Sequence, residues 1–108
     1  EADFSFMLKY EDLVALQKAS AVYDLPDLAF RTLDDGTINL DLCDKENDTG
    51  NVYSQTVAGE TTGVFDLTMK VENLRLHPGN YKVSVTSKGI TEWIHQSIDL
   101  KYYIGLEP

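Results

Sequence analysis

Ten residues near the start of the chain, Phe4–Leu13 (FSFMLKYEDL), return in altered form as Phe65–Leu74 (FDLTMKVENL). Phe4/Phe65, Lys9/Lys70, Glu11/Glu72 and Leu13/Leu74 are identical at an offset of 61 residues, and Asp12/Asn73 is a near match. Each copy is an apolar strand pattern that meets an acidic residue and then changes to helical spacing. A supersecondary unit used twice constrains a fold more than any single motif, because the unit decides the architecture of both halves.

The first unit can be followed along the chain. Phe4, Phe6 and Leu8 alternate with Ser5, Met7 and Lys9, the period of a strand with one buried face. From Glu11 the spacing turns helical. Leu13, Leu16, Ala19, Ser20 and Tyr23 share one face, while Glu11, Val14, Lys18 and Ala21 point the other way. Glu11 and Asp12 suit the positive end of that helix. Pro26 stops it, since the residue before a proline avoids helical geometry. Leu28, Phe30 and Leu33 predict a second strand, Asp35-Gly36 a hairpin turn, and Ile38, Leu40 and Leu42 a third strand with one wet face. Asp44–Asn51 reads as a polar loop, Val52–Val57 as a fourth strand and Ala58–Gly63 as a loop.

The second unit repeats that order. Val64–Val71 predicts a strand, and Glu72 to about His77 a helix of barely two turns, stopped by Pro78-Gly79-Asn80. Tyr81, Val83 and Val85 form the next strand, Lys88-Gly89 a turn, and Ile90–Ser97 and Ile98–Leu106 the last two strands. Strand, helix and three strands thus occur twice, over about residues 3–60 and 64–107 of a single domain. Matching Gly36 to Gly89 lowers the offset to 53, so the second helix is shorter by eight residues, about two turns. The expected architecture is α+β, with two helices packed on one side of antiparallel sheets. Lys18 on the first helix and Arg75 on the second then look outward.

A chain of 108 residues, 43% apolar and 25% charged, suits one globular domain with one core. No stretch approaches the roughly 18 apolar residues of a membrane span, and no basic-then-apolar leader opens it. It opens on Glu1 rather than methionine, so a longer parent protein is expected. Cys43 stands alone, which excludes an internal disulfide and fits a reducing compartment. Eighteen Asp and Glu against nine Lys and Arg give a net charge of −9, the opposite of a nucleic-acid binder's usual footprint. Net charge is a sum, however, and binding depends on whether a few cations share a face.

Catalytic and metal chemistry find no constellation. Asp41, Asp44, Glu46 and Asp48 precede Gly50 in the manner of a calcium loop. Counted from Asp44, though, Thr49 stands where glycine is needed and Gln55 where a glutamate is. His77 and His95 have no Cys or carboxylate at zinc spacing. Phosphate-binding, dinucleotide and nucleophile-elbow motifs are missing, and no carboxylate sits in an apolar context that would raise its pKa. Asn47-Asp48-Thr49 is a formal glycosylation sequon without a secretion signal. The expectation is a protein without metal, cofactor or catalytic residues, which leaves a small hydrolase as the weakest reading. The end of the chain, with Tyr102, Tyr103, Ile104 and Leu106, offers either packing or a slot for a partner's peptide.

These residues resemble a known family, the sliding clamps of T-even-type bacteriophages, and within them the C-terminal domain. Leu76-His-Pro-Gly-Asn-Tyr-Lys82 with Lys88-Gly89 after it, and Glu11-Asp12-Leu13 with Lys18 beyond, carry the likeness. The tail Leu100-Lys101-Tyr102-Tyr103 is also similar to the eukaryotic proliferating-cell nuclear antigen clamp. The resemblance covers nearly the whole chain.

The resemblance implies a DNA-clamp fold and a ring. Three two-domain subunits close head to tail, with helices lining a channel around duplex DNA and sheets outside. By this resemblance the function is that of a DNA polymerase processivity factor. Such a clamp tethers the phage polymerase through its tail peptide, is placed by a clamp loader, supports late transcription, and works in the cytoplasm of the infected bacterium. Lys18 and Arg75 become DNA-facing cations. Val52, Tyr53, Ser54, Gln55, Thr56 and Val57 become the strand that pairs with the next subunit, and Tyr103 and Leu106 part of the partner-peptide pocket. Ala21 departs from the pattern, standing where the family carries a second basic residue. The first clamp domain is expected to lie outside this chain. The competing reading is a non-enzymatic β-rich interaction domain of a phage protein.

Overall fold

The computed structural model describes residues 2–47 and 53–108. Strand β1 (Phe4–Leu8) leads into helix α1 (Tyr10–Tyr23), then β2 (Asp27–Thr32), β3 (Ile38–Cys43), β4 (Tyr53–Val57) and the short β5 (Gly59–Thr61). The second unit comprises β6 (Asp66–Lys70), one 3-10 turn at Val71–Asn73, β7 (Tyr81–Thr86), β8 (Ile90–His95) and β9 (Lys101–Gly105).

Two antiparallel sheets result, in the orders β5-β1-β7-β8-β9 and β4-β3-β2-β6. The two units exchange their first strands: β1 pairs with β7 of the second unit, and β6 with β2 of the first. Register is duplicated as well. Leu8 lies opposite Tyr81 and Phe6 opposite Val83; Met69 lies opposite Leu28 and Leu67 opposite Phe30. The offsets of 61 and 53 convert the first two pairs into the last two. A slip of one residue would turn Phe4, Phe6 and Leu8 out of a core in which none is more than 2% exposed.

One hydrophobic cluster joins the inward residues of both sheets to Leu13, Leu16 and Ala19 of α1. Phe30 packs on Phe4 and Phe6 with ring centroids 6.5 and 6.0 Å apart, inside the range where aromatic pairs attract. Helix α1 ends when Asp24 takes the left-handed conformation (φ 56°), a geometry aspartate tolerates better than most residues. The Ser20 carbonyl then accepts the N–H groups of both Asp24 and Leu25. Tyr23, expected on the buried face, is 61% exposed, because the chain turns away at this last helical residue.

The second helix is where expectation and structure part. Glu72 to His77 forms no two-turn helix; the 3-10 turn ends at Leu74 (φ −85°, ψ 57°), whose N–H donates to the Val71 carbonyl. Pro78 disfavours helical geometry at His77, so too few residues remain to repay the cost of nucleation. Residues 74–80 instead form an irregular strap held by side chains. The His77 N–H donates to the Tyr102 hydroxyl (3.0 Å), and the Tyr81 hydroxyl donates to the His77 carbonyl (2.6 Å). Strand bounds also shift: β6 begins at Asp66 rather than Val64, β8 stops at His95, and β9 spans only Lys101–Gly105. Part of the expected loop 58–63 is β5, paired with β1. Leu33 lies just beyond β2 and is exposed.

Candidate functional site

The strap lies along helix α1 and is bonded to it at each end of the strap. At one end Gln17 Nε2 donates to the Leu74 carbonyl (2.7 Å); at the other Asn80 Oδ1 accepts the Tyr10 N–H (2.7 Å). The latter is an N-cap supplied from the opposite unit, satisfying a donor that no residue of the helix can reach. Lys18 and Arg75 are each the next residue after a partner in the Gln17–Leu74 bond, and both are exposed. Arg75 Nε donates to the Glu72 carbonyl at 3.3 Å. Among the described residues neither cation takes part in an ion pair. Glu11 and Glu72 are exposed on the same two segments, and Ala21 is exposed without adding charge. Two exposed cations on neighbouring segments do not make a basic patch.

Three other cations, Arg31, Lys70 and Lys101, are paired with carboxylates. On the outward face of the four-stranded sheet, Arg31 reaches Asp41 (3.1 Å) and Asp66 (3.3 Å), while Lys70 reaches Asp27 (2.8 Å). Burial pushes the Asp27 carboxyl up, but the Lys45 N–H and the Lys70 ammonium outweigh it and leave it below the ordinary carboxylate range. Burial raises the Cys43 thiol, which makes it a poor nucleophile. Among the described residues, no group of three or more His, Cys, Asp or Glu is placed to hold a metal, and no helix is long and apolar enough to cross a membrane.

The expected subunit strand is an edge strand: among the described residues β4 pairs with β3 alone. Ser54 and Thr56 bond outward to Asp41 and Asn39, and Tyr53, Gln55 and Val57 lie half-buried on the inner side. Gln55 Nε2 donates to the Asp12 carbonyl of α1 (3.1 Å) and to the Tyr53 hydroxyl (3.2 Å), while its Oε1 has no partner among the described residues. Val52 lies outside the described residues, as does most of the Asn47-Asp48-Thr49 sequon.

Tyr103 and Leu106 go to different places. Tyr103 is 62% exposed on the outward face of the five-stranded sheet, and its hydroxyl donates to Glu92 Oε2 (3.1 Å). With Ser84, Thr86, Ile90 and Glu92 it lines a shallow depression of about 200 Å³. Leu106 lies past the end of β9, half-buried against the core, with its N–H donating to the Gly89 carbonyl (2.9 Å). Ile90, 43% exposed, is the apolar neighbour of Tyr103 that sequence reasoning missed. Its signal was available, since Ile90 alternates with the buried Thr91 and Trp93 on β8.

Comparison with known proteins gives this geometry a family. The family model described as "gp45 sliding clamp, C terminal" matches residues 5–108. A protein named "Sliding clamp" from Vibrio phage KVP40 is 32% identical over 104 residues, which cover 94% of this chain and 46% of that relative. The chain therefore spans about half the length of that curated relative. The crystal structure of Proliferating Cellular Nuclear Antigen from Entamoeba histolytica superposes with a TM-score of 0.71 at 12% identity, covering 100% of this chain and 47% of that one. The fold is thus the DNA-clamp fold, and the chain belongs to the gp45 sliding clamp family as a C-terminal domain of that kind.

Proposed function

We propose that this chain is the C-terminal domain of a ring-shaped processivity clamp that encircles duplex DNA and tethers a phage replicative polymerase. The observation that carries the reading is the bonded pair of α1 and strap, which sets Lys18 and Arg75 on neighbouring exposed segments. Two cations per domain supply a weak, sequence-independent attraction with a shallow salt dependence. That suits a topological link, in which tight phosphate contacts would hinder sliding. The acidic remainder of the surface, at −9 overall, keeps DNA off the outside.

In this proposal three full-length subunits close head to tail, with β4 adding to an edge strand of the neighbour. The protein is a non-catalytic accessory factor. A clamp loader places it on DNA in the cytoplasm of the infected bacterium, and it also supports late transcription. The polymerase's tail peptide docks at the depression beside Tyr103, where an aromatic ring with a polar tip meets exposed apolar surface.

The test is Lys18→Glu with Arg75→Glu in the full-length clamp, measured as replication tract length on primed templates. Processivity falls while subunit stability holds; unchanged tracts would remove both residues from the channel. Tyr103→Ala weakens capture of the tail peptide in a titration, and an unaltered affinity would discard that site.

A further inference from the structure

His95 is buried at the end of β8 with both ring nitrogens engaged. Its Nδ1 faces the N–H groups of Ser97 (3.0 Å) and Ile98 (3.2 Å). Backbone N–H groups only donate, so Nδ1 carries the lone pair and the proton sits on Nε2. Nε2 donates in turn to the Pro78 carbonyl at 2.9 Å. A single neutral tautomer therefore ties the turn between β8 and β9 to the strap. The seat is tight: a Cβ on Gly79 would stand 2.1 Å from Nε2. The strap passes the constraint on, because the Asn80 carbonyl accepts the Gln96 N–H (3.0 Å) and Asn80 Oδ1 holds the first N–H of α1 (2.7 Å).

We propose that His95 is a proton-sensitive pin, whose uptake of a second proton releases the turn and, through Asn80, loosens the start of α1. Protonation converts Nδ1 from acceptor to donor, which breaks both bonds to Ser97 and Ile98 and leaves a cation in a buried place. The surroundings do not compensate it. His77 approaches from the strap (ring centroids 5.7 Å apart) and Tyr81 from β7 (5.1 Å). Tyr102 of β9 commits its hydroxyl to the His77 N–H. Asp99 of the turn is exposed, and among the described residues no carboxylate forms an ion pair with His95.

The test is an NMR titration of this chain with its histidines labelled with nitrogen-15. At neutral pH the His95 ring shows the Nε2–H tautomer. As it protonates, the Ser97 and Ile98 amide signals shift in step, and exchange protection at Ser97, Ile98 and Tyr10 drops about tenfold. His77→Gln leaves that transition in place. H95N, which keeps an acceptor near the Nδ1 position without a titrating group, abolishes it. The proposal is overturned if His95 shows the Nδ1–H tautomer, if it protonates while those amides stay put, or if it stays neutral until the whole chain unfolds.

Discussion

The two halves of this molecule solve one packing problem differently. Over the first lies a 14-residue helix; over the second, a turn of 3 residues and an irregular strap. Leu28, Leu40 and Leu42 of the first half correspond, at the offset of 53, to Tyr81, Trp93 and His95 of the second, and all six are buried. Larger rings occupy the volume that two more turns of helix would have filled. Their polar tips also replace the helix's backbone bonds, since the Tyr81 hydroxyl and His95 Nε2 serve strap carbonyls. Burial pushes the Tyr81 hydroxyl up to about 12, consistent with a group fixed as a donor. A helix can be shortened within a duplicated fold when the sheet beneath supplies both bulk and hydrogen bonds.

The joint between halves shows the same contrast in charge. Asp27 and Asn80 are equivalent at the offset of 53, and each meets the junction after the other unit's first strand. Asp27 pairs with Lys70, whereas Asn80 caps Tyr10 as a neutral amide.

The most disruptive way to break the comparison is Trp93→Leu, which installs the residue of the first half. Chemical denaturation is expected to show a loss of about 3 kcal/mol, since no helix can collapse into the cavity. A cost within experimental error would mean the two cores are interchangeable. Gly79→Ala comes next. At φ 152° beneath His95 an added Cβ has no room, and about 2 kcal/mol should go, read from the same transition.

The joint is probed by Asp27→Asn, with about 2 kcal/mol lost at neutral pH because the buried carboxylate loses its charge towards the half-exposed Lys70 ammonium. The sign follows from the depressed carboxyl: its contribution is complete above the ordinary value of 3.8 and vanishes as pH falls through the lowered one. Stability curves of variant and parent should therefore converge in acid, and parallel curves would deny the charge a role. Smallest is Asn80→Ala, a lost cap worth about 1 kcal/mol, seen as faster amide exchange at Tyr10 with the centre of α1 unchanged.

Much of this was legible in the residues. Strands with one wet face announce themselves by alternation, as in Phe4–Leu8 and Ile38–Leu42, and the glycines at 36 and 89 mark turns needing positive φ (89° and 114°). The exchange of first strands was not read from the residues, although the two offsets match its register once the pairing is known. Three residues of β5, Gly59-Glu60-Thr61, show no apolar pattern, because backbone pairing with β1 holds them. The second helix fails because Leu74 and Leu76, two apart, share no helical face, and Pro78 and the rings of Tyr81 and Tyr102 decide the outcome. Lys18 and Arg75, expected to look outward, are both exposed on neighbouring segments. The Tyr103 depression was half readable, since its other wall comes from β7 and β8. Asn80 as a cap for Tyr10, seventy positions away, leaves no local trace.

The exchange of first strands has a consequence for synthesis. Phe4, Phe6 and Leu8 leave the ribosome well before their long neighbour, Tyr81–Thr86. Until then the nascent segment carries three sticky side chains and an unclaimed flank, a state that invites chaperones or premature association. Pairing with Tyr81–Thr86 is thus the step that makes Phe4–Leu8 safe.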